Sequence, residues 1–294
     1  MIAALIPFPN ISPEVFSISL FGMEFALRWY ALAYIVGIGL GWAIARTALA
    51  RPRLWKNDSP PMAPTQLDDL MTWIILGIVI GGRLGFVLFY QPAYYLANPL
   101  EIPMIWQGGM SFHGGMLGVI LGTWIFAARY AIPRLQTADT LALGTPVAIM
   151  LGRLANFVNA ELWGRPTDAP WGVIFPMRGA LCDGEICARH PSQLYEAGLE
   201  GLLLGGLLVI LAFAGGALKK PGLVAGVFFA GYGIARFIVE FFRLADAQFI
   251  TPGNPYGHVL RLSDSIGITM GQLLSLPMIL VGLLVILIGR RQWR

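Results

Sequence analysis

A chain of 294 residues with 56% hydrophobic and 12% charged residues and a mean hydropathy of +0.68 is too apolar for a soluble domain, where about 25% of residues are charged. These values predict an all-α polytopic membrane protein, with membrane lipids around it and no nucleic-acid partner. The formal net charge is +4, and its distribution along the chain says more than its sum.

The first fourteen residues, Met1 to Glu14, carry no lysine or arginine and are interrupted by Pro7, Pro9 and Pro13, so a cleaved signal peptide with its basic n-region is not expected. A hydrocarbon core of about 30 Å takes about 20 apolar residues of helix. Seven windows reach that length: 25–46, 69–90, 113–132, 138–158, 194–214, 223–243 and 271–289. The first has an alternative start in the Phe16 to Phe25 stretch, as a re-entrant or interfacial piece. With an odd number of spans the termini face opposite sides. One set of loops holds eleven basic residues, Arg46, Arg51, Arg53, Lys56, Arg129, Arg134, Lys219, Lys220, Arg290, Arg291 and Arg294. The other set holds five, Arg165, Arg178, Arg189, Arg243 and Arg261, with Asp168, Asp183, Glu185 and Asp246 among them. Positive loops stay in the cytoplasm, which predicts a cytoplasmic carboxyl terminus and a periplasmic amino terminus. The chain then reads as a single integral membrane domain, 1–294, with a periplasmic arm at 159–193, since long loops usually carry function. The two halves show no repeated span pattern, which weighs against an inverted-repeat transporter.

Cys182 and Cys187, spaced C-x4-C in that loop, read as a staple if the compartment is oxidising. With His190 as the only other soft ligand nearby, they make a poor metal site. The spans lack an acidic or histidine-rich ligand set, so no metal and no cofactor is expected.

Arg28, Arg83, Arg153 and Arg236 fall inside or at the ends of spans, where an ionisable group costs about 2.5 to 3.5 kcal/mol and by default marks a pathway or a site. At about 100° per residue, Arg153, Asn156 and Asn159 share one arc of a helix. A guanidinium fork with two amides suits a phosphate or carboxylate. The bland alternative is an Arg153–Glu161 pair that only fixes packing. Arg236, Glu240 and Arg243 recur at i, i+4 and i+7, so Glu240 either orients Arg236 for an anion or closes a self-contained ion pair. His113 lies between Gly108-Gly109 and Gly114-Gly115. Its imidazole, with a reference pKa of about 6.5, either relays a proton or is a satisfied hydrogen-bonding residue. Tyr30 alone reads as an interfacial aromatic residue. Pro191 or Ser192 starts the fifth span.

Five ordered motifs carry a resemblance: Gly81-Gly82-Arg83; Gly108-Gly109-Met110-Ser111-Phe112-His113-Gly114-Gly115; Gly152-Arg153 with Asn156, Phe157, Asn159, Glu161 and Gly164; Arg189-His190-Pro191-Ser192-Gln193-Leu194-Tyr195-Glu196; and Arg236 to Arg243. Together they resemble the bacterial prolipoprotein diacylglyceryl transferases along nearly the whole chain. The resemblance implies a seven-span enzyme of the bacterial inner membrane with its active site towards the periplasm. It would move the diacylglyceryl group of phosphatidylglycerol to the lipobox cysteine of a preprolipoprotein, forming a thioether and releasing glycerol phosphate. On matching positions it implies roles for Tyr30, His113, Arg153, Asn156, Glu161, Gly164, Glu196, Arg236, Glu240 and Arg243. The run Cys182-Asp183-Gly184-Glu185-Ile186-Cys187 is not part of that resemblance.

For such a reaction Arg153 and Arg236 are read as a phosphate clamp, with Asn156 and Glu161 orienting them and Gly164, Glu196 and Arg243 contributing to the lipid site. His113 is the first choice of base. Tyr30, Glu240, or an arginine-stabilised thiolate with water as proton acceptor are the alternatives. A rival of another class is an anion or lipid transporter, in which the same arginines line a path.

Overall fold

The computed structural model of the chain describes residues 6–20, 23–182, 184–263 and 266–293. Met1 to Leu5, Asp183 and Arg294, used above in reading the amino terminus and the charge bias, lie outside them. The chain divides into two compact units, residues 1–48 with 139–294, and residues 49–138.

Strand β1 (Ile6–Pro7) is followed by a hairpin of β2 (Glu14–Leu20) and β3 (Met23–Arg28), antiparallel with Ser17 opposite Ala26. This corrects the expectation of a re-entrant piece or a span start in Phe16 to Phe25. Phe16, Ile18 and Leu20 alternate with Ser17 and Ser19, a period of two that a hydropathy average hides. Arg28 ends the hairpin 4.0 Å from Glu14 and is not inside a helix. Helix α1 (Trp29–Leu49) begins immediately after it.

The helix α5 (Arg134–Val158) packs on α1 through small residues, Gly41 against the Gly144 backbone and Gly37 against Ala148. The arm follows. Its strand β4 (Val173–Ile174) pairs in parallel with β1, and Val173, Phe175, Ala160 and Ala180 form a small core with Phe8, Phe157 and Trp163 packed against it. Cys182 and Cys187 form a disulfide. Beside it Arg189 donates to the carbonyls of Ala180 at 2.7 Å, Leu181 at 3.2 Å and Gly164 at 3.1 Å. Burial lowers the Arg189 pKa from its ordinary value, and those carbonyl partners offset the lost water.

Next comes an apolar stretch, Ser192–Phe213. It is built of α6 (Ser192–Glu196), a π-helical segment Ala197–Leu203 and α7 (Leu204–Phe213). Helix α8 (Leu223–Val239) follows, capped from a distance: Asp139 of α5 accepts from the backbone N–H of Gly222 at 2.7 Å and of Ala225 at 2.8 Å. A buried carboxylate here meets the free N–H groups and positive dipole end of the helix. The hairpin β5 (His258–Arg261) and β6 (Gly267–Thr269) leads into α9 (Met270–Arg290), where Thr269 and Gln272 form a capping box. Helices α8 and α9 touch where Gly226, Gly233 and Gly282 leave no room for a Cβ.

In the second unit α2 (Pro64–Phe89) lies against α4 (Phe112–Arg129). Gly77, Gly81 and Gly85 face Gly114 and Gly118, so the two backbones touch. Close approach through small residues is how helices gain contact in lipid, where apolar burial offers no net driving force. The short helix α3 (Pro92–Ala97) lies between them in sequence. Among the described residues, five helical stretches are long and apolar enough to cross a membrane: Trp29–Leu49, Pro64–Phe89, Arg134–Val158, Ser192–Phe213 and Met270–Arg290. Leu223–Val239 is a shorter apolar helix, because residues 240–243 of the expected 223–243 window form a turn.

Candidate functional site

Within the first unit, the last turns of α5 and α8, the turn that follows α8, the end of α6 and the π-helical segment bring six ionisable side chains together. Glu196, fully buried, is shared by three guanidinium groups: Arg153 Nε at 3.2 Å, Arg243 Nη1 at 3.1 Å, and Arg236 Nη1. The carboxylate of Glu240 takes Arg236 Nη2 at 2.6 Å and Arg243 Nε at 3.4 Å on Oε1, while the Thr269 hydroxyl donates to Oε2 at 2.9 Å. A third carboxylate, Glu200, has Oε2 3.7 Å from Arg153 Nη2.

Three cations therefore meet three anions. A buried charge without a partner is costly, so balance is the condition for such a cluster to exist at all. Arg153 and Arg236 also sit near helix carboxyl ends, where the dipole favours cations, and Glu240 sits at the amino end of α9, where it favours anions. Gly271 makes that last placement possible, since a Cβ there would lie 2.6 Å from Glu240 Oε2.

The cluster has two sides. The side chains of Glu196 and Glu200 are wholly buried, whereas those of Arg153, Arg236 and Arg243 remain 21%, 18% and 14% exposed. The anions lie behind and the cations in front. A cavity of about 130 Å³ adjoins Arg236, Glu240, Arg243, Asp246, Thr269 and Gly271.

The sequence-derived candidates distribute as follows. Arg153, Glu196, Arg236, Glu240 and Arg243 converge. The Arg236–Glu240 pair forms, but it is not self-contained, because Glu196 binds the same guanidinium. Arg153 pairs with Glu196 and Glu200, not with Glu161. Asn156 Nδ2 donates to Glu161 Oε1 at 2.7 Å, so those two residues engage each other instead of orienting an arginine. Asn159 directly follows α5, and its N–H still donates to the Ala155 carbonyl at 2.9 Å, so the last helical turn reaches it. Tyr30, in the first turn of α1, shares a hydrogen bond with the Tyr34 hydroxyl at 3.0 Å. His113 lies in the second unit, exposed in the first turn of α4.

Arg83 proves to be a staple of the second unit. Its guanidinium donates to the carbonyls of Ile102 at 2.7 Å, Glu101 at 2.7 Å, Gly108 at 2.5 Å and Gly109 at 3.3 Å, and it lies over the Tyr95 ring.

Gly164 ties the arm to the end of α8. Its N–H donates to the His190 carbonyl at 2.8 Å, and the next N–H, of Arg165, donates to the Phe242 carbonyl at 2.8 Å. A Cβ on Gly164 would collide with both carbonyls. Replacing Gly164 by alanine is therefore expected to part the arm from residues 242–243, which carry Arg243, and to reduce activity about tenfold or more. Normal kinetics in that variant would remove Gly164 from this joint. On the other side of the joint, Ser192 Oγ donates to the Leu162 carbonyl at 3.0 Å and Gln193 Nε2 to that of Glu161. Tyr195 receives the Trp171 indole N–H at 2.8 Å and shares a hydrogen bond with His190 Nδ1 at 3.0 Å. Burial lowers the His190 pKa, which suits a neutral ring whose Nδ1 accepts from the tyrosine.

Two buried acids escaped the sequence reading, Glu200 and Asp139. The signal was present: each is a carboxylate within an apolar window, and the rule that selected the arginines applies equally to acids.

Apolar helices of membrane-spanning length, with a buried Arg–Glu cluster at the ends of α5 and α8, define a multi-pass membrane protein with a built polar centre. The family model described as Prolipoprotein diacylglyceryl transferase matches residues 16–288. Similar proteins include the phosphatidylglycerol–prolipoprotein diacylglyceryl transferase of Ruegeria pomeroyi, 62% identical over 290 residues and covering 98% of each chain. The proteins of the same name from Roseobacter denitrificans (62% over 283 residues, 95% of this chain and 96% of the relative) and Brucella anthropi (48% over 281 residues, 96% and 92%) are also similar. The chain belongs to the prolipoprotein diacylglyceryl transferase family.

Proposed function

We propose that the chain transfers the diacylglyceryl group of phosphatidylglycerol to the lipobox cysteine of a prolipoprotein, with the outward faces of Arg153 and Arg236 holding the lipid phosphate. The observation that supports this reading is the depth order of the cluster: guanidinium groups partly exposed, their carboxylate partners wholly buried. Fixed cations in a site of low dielectric need no reorganisation when charge develops, which is often the largest catalytic contribution.

In the proposed reaction the cysteine thiolate attacks the glycerol carbon bonded to the phosphate oxygen. The carbon–oxygen bond breaks, a thioether forms, and glycerol phosphate leaves with the charge that the arginines stabilise. A thiol with a reference pKa of about 8.5 must first lose its proton at neutral pH. That role is assigned to His113, on its imidazole and its place in the family motif alone. Glu240 has both carboxylate oxygens engaged, by Arg236 and Arg243 on one and by Thr269 on the other. Its role is therefore to fix the two arginines. In the membrane the reading is of seven spans, amino terminus periplasmic, carboxyl terminus cytoplasmic and reaction centre towards the periplasm, following the loop charge bias.

The test combines purified protein, phosphatidylglycerol vesicles and a lipobox peptide. The expected product is the peptide with the mass of one diacylglyceryl group added. Lipid movement without that adduct would favour transport instead. In the same assay, His113→Ala is expected to slow single-turnover transfer by about 100-fold, the scale of a lost general base. Near-normal transfer would move the base role elsewhere.

A further inference from the structure

Glu200 is the member of the cluster that the phosphate-holding reading leaves unused. Its side chain is wholly buried, and neither Oε1 nor Oε2 has a hydrogen-bond donor among the described residues. Its single ionic contact is with Arg153 Nη2, at 3.7 Å. By contrast, Glu240 draws on two arginines and a hydroxyl, and Glu196 on three arginines. A carboxylate held this sparingly in an apolar helix is a net cost to folding, since the ion-pair gain barely meets the desolvation cost even in well-made buried pairs.

The backbone around Glu200 is unusual in the same place. Residues Ala197–Leu203 form a π-helical segment, a rare conformation that is frequent at functional sites. A π turn holds more residues than an α turn. Residues 196 and 200, about one turn apart, both place a carboxylate against Arg153. The segment is pressed against α5, because Gly201 meets the Met150 backbone and would have no room for a Cβ. Met150 lies about one turn before Arg153 on that helix. Arg153 is thus held by two carboxylates on one rigid wall, and only Glu200 is not shared with another arginine.

We infer that Glu200 is a positioning residue for Arg153: it aims the guanidinium and, as the third anion, keeps the cluster at charge balance before the lipid phosphate arrives. The inference depends on Arg153 being a phosphate-holding group.

Charge balance and aim respond oppositely to Glu200→Gln, which keeps the shape and removes the charge. The full-length enzyme in mixed micelles with phosphatidylglycerol and saturating lipobox peptide is the system to use. The cluster would carry one more net positive charge, so KM for phosphatidylglycerol is expected to fall by about threefold or more. Arg153 would be left with the shared carboxylate of Glu196 and the Tyr232 side chain, so kcat is expected to fall by about tenfold or more. A purely structural Glu200 predicts instead a lower melting temperature with kcat and KM of the folded fraction unchanged. The inference is overturned by a kcat within about twofold of the parent, or by a raised KM. If that variant does not fold, Glu200→Asp decides, because it keeps the charge and draws the carboxylate back by one methylene. A KM like the parent's with a several-fold lower kcat supports the inference, and an unchanged kcat overturns it. Arg153→Lys separates the two levels: parental activity there defeats the phosphate-holding role itself. Loss of activity there, with Glu200→Gln kinetically silent, defeats only the role of Glu200.

Discussion

Replacing Glu196 by glutamine is expected to cost about 3 kcal/mol of stability and nearly all activity. Among the described residues, Glu196 is the only carboxylate in contact with all three guanidinium groups, and its side chain is wholly buried. Removing one partner of a buried ion pair typically costs about 3 to 5 kcal/mol, because the remaining charge keeps its desolvation cost without its attraction. The lower figure applies here for two reasons. Arg153 keeps Glu200, while Arg236 and Arg243 keep Glu240. The arginines are also partly exposed, so water screens part of the excess charge. The measurement is thermal unfolding in detergent alongside the transfer assay. An unchanged melting temperature with parental transfer would mean that the arginines are held by something other than Glu196.

Arg153→Lys is expected to lower kcat/KM by about 100-fold or more while leaving the protein folded. The Arg153 guanidinium is paired with two carboxylates, its Nε 3.2 Å from Glu196 Oε2 and its Nη2 3.7 Å from Glu200 Oε2, with part of the fork still outward. An ammonium group is a single compact charge on a flexible stem and cannot hold both carboxylates and a phosphate in fixed directions. Loss of one preorganised donor at a developing oxyanion costs about 100- to 1,000-fold in other enzymes. The variant still carries the positive charge, so net electrostatic attraction alone would preserve the rate. Parental rates in matched membranes would therefore sink the clamp and leave the arginines as packing or steering charges.

Much of this architecture was legible in the chain. Windows at 69–90, 138–158, 194–214 and 271–289 correspond to Pro64–Phe89, Arg134–Val158, Ser192–Phe213 and Met270–Arg290, because a run of about 20 apolar residues is a one-dimensional property. The arginines of the cluster were legible for the same reason: charge in an apolar run stands out wherever it occurs. The hairpin over Glu14–Arg28 was not recognised, since window averages erase the alternation that marks a strand. Nor did helical periodicity reveal the partner of Arg153. The nearest acid by sequence, Glu161, faces Asn156, and the actual partners lie 43 and 47 residues further on.

The sequence by itself determined the class of protein, the places of its long apolar helices, the family motifs and the list of costly charges, all of which depend on composition and local order. Tertiary structure decided how those charges are spent. Arg83 became a staple for a loop, Asp139 a cap for a distant helix, and Cys182 and Cys187 a disulfide. Arg153, Arg236 and Arg243 became the outward face of a cluster whose anions, Glu200 among them, are hidden behind. The physical reason is that hydropathy sums along the chain, whereas an ion pair depends on distance and burial, and both are set only when helices remote in sequence pack together.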